Sequence, residues 1–204
     1  MGLIANNDLF EILKGKDIYL DNDFLCRLLK DSQFSEEFLK ISIKSFLKID
    51  PLIEFEFYRD LYEPKSLQTR KNFLSSNAFN LIADTSEFFL KIKENALLLS
   101  KIYKLQNENG ASLTDFFLAA RIMVSYKNSL LITGNKKHFP SCVFNIEGVI
   151  NTEHPQNGSI NSFSVLSFNK EQFDTFFEKL DQITNKKTNN SVKIPFRINL
   201  DNFH

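Results

Sequence analysis

Apolar and polar positions follow two periods along the chain, one typical of strands and one typical of helices. The apolar run in DIYLDND predicts a short strand at about 17–21, and the spacing of apolar positions in FLCRLLKD predicts a helix directly after it. Because Pro51 interrupts KIDPLIEFEFYRDLYE, we predict a strand at about 49–53 and a helix at about 54–62. Helical spacing then continues over about 66–108.

The second half of the chain repeats this alternation. Ser112 and Asp115 have the spacing of a capping box, so they predict the start of a helix. The apolar run at 129–133 predicts a strand, CVFNIEGVI and SFSVLSFN are strand-like, and KEQFDTFFEKLDQI has the spacing of an amphipathic helix. Strands separated by helices favour parallel pairing, so the pattern predicts an α/β sandwich.

Length and composition limit the number of domains. The chain has 204 residues, of which 43% are hydrophobic, and this is enough for a sizeable core. We therefore predict one domain over 1–185 and a C-terminal tail over 186–204, which could dock on the domain or add an edge strand.

The charge balance narrows the kinds of partner. Lys and Arg number 25, Asp and Glu number 25, and the formal net charge is zero. Proteins that bind nucleic acid usually carry a basic footprint, which this chain lacks as a whole. Any contact with nucleic acid is therefore expected to be local, or assisted by a metal or a partner protein.

Cysteine usage and the absence of targeting patterns favour a cytoplasmic location. Cys26 and Cys142 lack CxxC spacing, so we expect two buried, reduced thiols. The first residues do not have the basic region and apolar core of a secretory signal, and no apolar run approaches the ~20 residues of a membrane span. We expect a soluble cytoplasmic protein with no membrane partner.

Polar residues follow the predicted strands where functional groups collect in parallel sheets, at the carboxyl edge. Several carboxylates that converge there could hold Mg²⁺ or Mn²⁺ through oxygen ligands. Such metals activate water for the hydrolysis of phosphodiesters. The candidate residues are Asp21, Glu54, Glu56, Asp115, Thr133 and Asn135.

Four segments in order, YLDNDFL, PLIEFEFYRDL, SLTDFFLAARI and LLITGNKKHFP, resemble the PIN-domain nuclease family over about 17–140. The resemblance implies a flavodoxin-like, three-layer α/β/α sandwich with a central, mostly parallel sheet. It also implies metal-dependent cleavage of RNA as an endoribonuclease. Many small members of the family are toxins of toxin–antitoxin pairs, and others act in RNA processing.

The resemblance also implies roles for individual residues. Asp21, Glu56 and Asp115 would hold Mg²⁺ or Mn²⁺, with Glu54 as the alternative to Glu56. Asp21 matches the acid that ends the first strand in the family, and Asp115 matches the acid that begins a later helix. Thr133 and Asn135 would position water or phosphate.

The fourth acidic position departs from the family pattern. Members often carry an aspartate in the place of Asn135 or two to three residues later, where this chain has His138. The predicted site therefore has three acids, and the second metal would depend on oxygens from the substrate.

Structural roles compete with each of these assignments. Asp23 has the position of a helix cap rather than of a ligand. Asp115 forms a helix-start pair with Ser112 whatever the function, and Gly134 with Asn135 is common turn chemistry. These alternatives remain open at the level of sequence.

Two other functions compete with the nuclease. A non-catalytic PIN-like module that binds RNA or protein would fit the neutral charge and the missing fourth acid. A haloacid-dehalogenase-type phosphatase would also place DxD after a strand. That class needs a later acidic pair, and the sequence after Lys136 and Lys137 does not supply one.

The expected partners follow from the nuclease interpretation. RNA would be the substrate, and an antitoxin protein would bind across the acidic cleft, for example by inserting a basic side chain. The apolar faces predicted over 66–108 favour a homodimer.

Overall fold

The computed structural model describes residues 3–5, 8–108, 110–153 and 158–187. The strands are β1 (Leu3–Ala5), β2 (Asp17–Leu20), β3 (Phe46–Ile49), β4 (Phe79–Leu81), β5 (Ser129–Thr133), β6 (Phe144–Glu153) and β7 (Ile160–Phe168). The helices are α1 (Leu9–Leu13), α2 (Asn22–Lys30), α3 (Ser32–Ile41), α4 (Pro51–Arg59), α5 (Pro64–Leu74), α6 (Ser86–Leu105), α7 (Leu113–Val124) and α8 (Lys170–Lys187). A short 3₁₀ helix spans Lys136–His138.

Within the described residues, seven strands form one sheet in the order β1-β6-β7-β5-β2-β3-β4. The strands β5, β2, β3 and β4 are parallel, whereas β7 runs antiparallel to β5 and β1 runs antiparallel to β6. The prediction of an α/β fold is confirmed. The four parallel strands alternate with helices along the chain, as the sequence indicates. The antiparallel pairings of β7 with β5 and of β1 with β6 were not predicted, although β6 and β7 lie in segments that the sequence indicates as strand-like.

Contacts between Cα atoms group the described residues into two compact units. Unit 1 lies within Met1–Ala83, Lys127–Lys136 and Ile146–Ser167, and unit 2 lies within Asp84–Tyr126, Lys137–Asn145 and Phe168–His204. The prediction of one domain over 1–185 stays a prediction. Residues 188–204, which make up nearly all of the predicted tail, lie outside the described residues.

Unit 1 has a core of aliphatic strand residues and phenylalanines. Ile18 and Leu20 of β2 are fully buried in it. Phe24 of α2 meets Phe34 and Phe38 edge-on, with ring centroids 5.7 and 4.9 Å apart. Such edge-to-face pairs stabilise beyond the area they bury. This core fixes α2 and α3 against each other, and with them the carboxyl end of β2.

The start of α4 differs from the prediction. The sequence indicated a strand at about 49–53, whereas β3 ends at Ile49 and α4 begins at Pro51. Asp50 caps the helix, because its side chain accepts a hydrogen bond from the backbone N–H of Leu52 at 2.7 Å. Aspartate at the N-cap followed by proline at the first helical position is a helix-start pattern. Pro51 therefore begins the helix rather than ending a strand.

The predicted helical stretch over 66–108 contains two helices and a strand. The helices α5 and α6 lie at its ends, and β4 lies between them and pairs with β3 in parallel. Three residues are too few to show the period-two alternation that marks a strand in sequence. The pattern of apolar and polar residues therefore does not indicate β4 or its pairing with β3.

Unit 2 contains α6, α7 and α8. Ser112 and Asp115 form the predicted capping box at the start of α7, with both reciprocal hydrogen bonds present. Ring contacts join α6 to α7, with Tyr103 and Phe116 at 5.1 Å between centroids. Of the helices described, none combines the length and apolar character needed to cross a membrane.

Candidate functional site

Three polar residues lie side by side where β5, β2 and β3 end. The pairing of Leu20 with Ile132 continues to Asp21 and Thr133, since Asp21 N donates to the Ile132 carbonyl at 3.0 Å. The register of β2 with β3, continued by two extended residues, places Asp21 beside Asp50. Neighbouring strands are about 5 Å apart. We call Thr133, Asp21 and Asp50 the edge triplet.

Hydrogen bonds fix the carboxylate of Asp21. Thr133 Oγ1 donates to Asp21 Oδ2 at 2.6 Å, and the backbone N–H of Asn22 donates to Oδ1 at 2.7 Å. Thr133 is fully buried and Asp21 is 8% exposed. Thr133 Oγ1 in turn accepts from the backbone N–H of Asn135 at 2.9 Å. The structure thus brings together the predicted residues Asp21, Thr133 and Asn135, the last through its main chain.

Asp50 is the member of the edge triplet that sequence reasoning missed. Its side chain is buried, with the residue 2% exposed, although it sits at the end of a strand. A buried carboxylate is costly unless hydrogen bonds or a cation compensate it. The signal in the sequence was an Asp that directly follows the apolar run of β3, as Asp21 follows that of β2.

Asp23 holds the turn after β5. Its Oδ2 accepts from the backbone N–H of Gly134 at 2.9 Å, while Asp21 takes the N-cap position of α2 that the sequence favoured for Asp23. A Cβ at Gly134 would lie 2.5 Å from this oxygen and 3.3 Å from the ring of Phe163. A side chain at position 134 would therefore displace the Asp23 carboxylate and crowd Phe163.

The two glutamates of α4 lie inside the helix, four and six residues after Asp50. Glu54 is in the first turn, and Glu56 is in the second turn at a half-exposed position. Burial, followed by the neighbouring carboxylate of Glu54, raises the pKa of Tyr58. Glu54 thus lies against Tyr58, and the roles predicted for Glu54 and Glu56 as ligands stay predictions.

Cys26 lies near the edge triplet, one turn into α2. Its Sγ is 3.7 Å from Asn22 Oδ1. Burial raises the pKa of this thiol, and the charges of Arg70 and Lys30 oppose the shift. Cys26 and Cys142 are free thiols, as the sequence indicates, and both are half-buried rather than buried. A protonated thiol is a weak nucleophile, so covalent catalysis is not favoured here.

Asp115 belongs to unit 2. Its Oδ2 accepts from the backbone N–H of Ser112 at 2.6 Å and lies 3.0 Å from His138 Nδ1. The contact with His138 brings the two groups together without the alignment of a hydrogen bond. The sequence does not indicate this contact between His138 and Asp115.

Tyr103 is buried close to this pair. The residue is 1% exposed, and its hydroxyl has no hydrogen-bond partner among the described residues. Burial raises the pKa of Tyr103 well above its usual value, and the charges of Cys142, Asp115 and Glu108 act in the same direction. In unit 2, Asp115 therefore contacts Ser112 and His138, and its charge acts on Tyr103.

Replacing Asp115 with alanine is expected to lower the free energy of unfolding by about 1–2 kcal/mol. The change removes the acceptor for the Ser112 N–H and the contact with His138. Urea denaturation followed by circular dichroism would measure it. Asp174→Ala is the matched control, since Asp174 pairs with Lys170 at 2.7 Å on the exposed face of α8. An equal, small effect of both variants would contradict the structural role of Asp115.

The positions of the acidic side chains show which of them lie close enough together to bind the metal that the sequence predicts. Within the part of the chain that the structure describes, no group of three or more His, Cys, Asp or Glu side chains could hold a metal ion. The metal-ligand roles predicted for Asp21, Glu56 and Asp115 stay predictions. Mg²⁺ is often bound by only one or two carboxylates, with waters and substrate phosphates completing its shell. Asp21 and Asp50 fit that smaller requirement.

Comparisons with protein-family models, curated proteins and solved structures found no match to this chain.

Proposed function

We propose that this chain is a PIN-like domain, a three-layer α/β/α sandwich, that hydrolyses RNA phosphodiester bonds with Mg²⁺ or Mn²⁺. The edge triplet carries the proposal. Buried acids beside a buried hydroxyl, at the carboxyl ends of adjacent parallel strands, occupy the location where α/β sheets bind ligands. The order of the four sequence segments supports the same family.

The residues of the edge triplet have distinct roles in this proposal. Asp21 and Asp50 would hold the cation, and Thr133 keeps the Asp21 carboxylate in one orientation through its 2.6 Å hydrogen bond. A divalent cation held there would lower the pKa of a bound water and polarise the phosphodiester. The ligand roles of Glu56 and Asp115 and the positioning role of the Asn135 side chain stay predictions.

A local feature favours a substrate with phosphate groups, and the choice of RNA among such substrates rests on the family resemblance. Lys136 is exposed and follows Thr133 by three residues, so an ammonium group lies close along the chain to the edge triplet. Lysine neutralises phosphates regardless of sequence, which suits a protein with no net basic charge. The toxin role and the antitoxin partner rest on the family resemblance alone and stay predictions.

Purified protein is expected to cleave a mixed RNA pool with Mn²⁺ or Mg²⁺, and EDTA is expected to stop the cleavage. Asp21→Asn should lower the rate by about 100-fold or more, since a charged ligand is lost. Asparagine still caps a helix, so the fold should persist.

Asp17→Asn is the matched control for this experiment. Asp17 lies at the other end of the same strand, where its carboxylate is 3.7 Å from Lys48 Nζ. The rate of this variant should equal that of the unchanged protein. If the cleavage rate fell equally in Asp21→Asn and Asp17→Asn, the edge triplet would have no specific role in the reaction.

The second candidate is a non-catalytic PIN-like module that binds RNA or protein. The absence of a group of three metal-binding side chains within the described ranges favours it. Such a module would not cleave RNA, and Mn²⁺ would not raise its melting temperature. A protein that binds the cation in its folded state should instead be stabilised by mass action.

A further inference from the structure

The helix α6 exposes three large apolar side chains, of which Phe89 contacts the ring of Phe117 in α7, with centroids 5.8 Å apart. Leu90 is 53% exposed and Leu97 is 54% exposed. They are seven residues apart, so they lie on one face, two turns from each other. The opposite face of α6 is buried in unit 2 through residues such as Ile92, Leu99 and Ile102. A helix with a buried face and an additional exposed apolar stripe has a surface suited to a partner.

Acidic residues lie on one side of this stripe and lysines on the other, except that the exposed Lys101 lies about 20° from Leu90 on the acidic side. At about 100° per residue, Glu94 and Glu87 lie about 40° and 60° to one side of Leu90. Lys93 and Lys104 lie about 60° and 40° to the other side. All four side chains are exposed. Among the described residues Lys93 and Glu94 form no ion pair, whereas Glu87 pairs with Lys91 at 2.8 Å.

We propose that this face of α6 binds a second copy of the same chain through a twofold contact. In a parallel alignment, Leu90 and Leu97 each meet their counterparts, and the acidic flank of one helix faces the basic flank of the other. Lys93 of each copy then pairs with Glu94 of the other. A contact of this kind is isologous, because one surface is complementary to itself.

Charge complementarity is what selects a second copy as the partner. An antiparallel twofold alignment would set acidic flank against acidic flank and basic against basic, which is unfavourable. In the parallel alignment the remaining like charges are those of Lys101 and Lys104, which lie beyond Leu97 toward the C-terminal end of α6. Two helices that cross near Glu94 diverge in that direction, so these lysines separate. The inference does not depend on the proposed nuclease activity.

The size of the contact predicts its strength. A stable interface usually buries about 1,600 Å² in total, and a pair of short helical stripes buries less. The dimer is therefore expected to dissociate on dilution. Its ion pairs are exposed, so high salt should weaken it further.

Charge reversal at the two paired positions tests this arrangement. Sedimentation velocity over a concentration series should show self-association of the unchanged protein. Lys93→Glu and Glu94→Lys should each weaken it by about tenfold, since two ion pairs become two like-charge contacts. The double variant Lys93→Glu/Glu94→Lys restores opposite charges across the contact and should recover the dimer.

Lys71→Glu provides the control, because it reverses an exposed charge on α5. It should sediment like the unchanged protein, and circular dichroism should show that all variants are folded. If the unchanged protein were a monomer at every concentration, the proposal would be overturned, and a different protein would be the candidate partner for this stripe. Failure of the double variant to recover self-association would equally overturn it.

Discussion

Replacing Arg121 with methionine is expected to lower the free energy of unfolding by about 3–5 kcal/mol. Arg121 is 2% exposed, and its Nη1 and Nη2 donate to Asp84 Oδ1 and Oδ2 at 2.8 and 2.6 Å. Its guanidinium also lies over the ring of Phe88, 5.7 Å from the centroid. Methionine would fill much of the space but would leave the carboxylate of Asp84, itself only 10% exposed, without its charged partner. An uncompensated buried charge is the main source of the loss.

A double-mutant cycle separates the ion pair from the packing. Arg121→Met/Asp84→Leu removes both charges, so it should be less destabilised than Arg121→Met alone. Arg59→Met is the matched control, because Arg59 pairs with Asp60 at 3.2 Å with 54% and 74% of the side chains exposed. The control should lose less than about 1 kcal/mol in urea denaturation. Equal losses for Arg121→Met and Arg59→Met would show that the buried pair contributes little.

This ion pair illustrates what the sequence could not indicate. Arg121 and Asp84 are 37 residues apart, and only the packing of α6 with α7 brings them together. The helix start at Ser112 and the strand Ser129–Thr133 were predicted, because a capping box and a continuous apolar run are local signals. Pairing between distant segments leaves no comparable local signal, and for this reason the antiparallel pairings of β7 with β5 and of β1 with β6 were not predicted.

In the candidate site, too, the residues that follow a local sequence signal were predicted and the others were not. Asp21 and Thr133 were expected at one edge because each ends an apolar run, and the 2.6 Å hydrogen bond between them confirms that they meet. The sequence pattern does not single out Asp50, because it places Pro51 inside a strand. Once Pro51 is placed at the start of α4, Asp50 becomes the residue that follows β3, equivalent to Asp21. The end of this strand lies at Ile49 rather than at about 53, and this shift of four residues changes which acid directly follows the strand.

Asp50→Asn is expected to reduce RNA cleavage by about 100-fold, whereas Glu56→Gln should change it by less than about threefold. The expectation rests on the proposed function. Asp50 is buried in register with Asp21, while Glu56 lies in the second turn of α4 at a half-exposed position. Removal of the charge at the strand end therefore weakens cation binding more than removal of the charge on the helix. Initial rates at several Mn²⁺ concentrations would measure both variants, and extra Mn²⁺ should partly rescue Asp50→Asn.

The helix cap must be kept intact for this comparison to be informative. Asparagine and serine both cap helices well, so Asp50→Asn and Asp50→Ser should unfold at nearly the same urea concentration as the unchanged protein. A loss of activity in both, with stability retained, assigns the effect to the charge of Asp50. If Glu56→Gln were the more damaging change, the acid indicated by the family resemblance would be the ligand. Asp50 would then serve α4 as a cap, and the edge triplet would be a structural feature of the sheet.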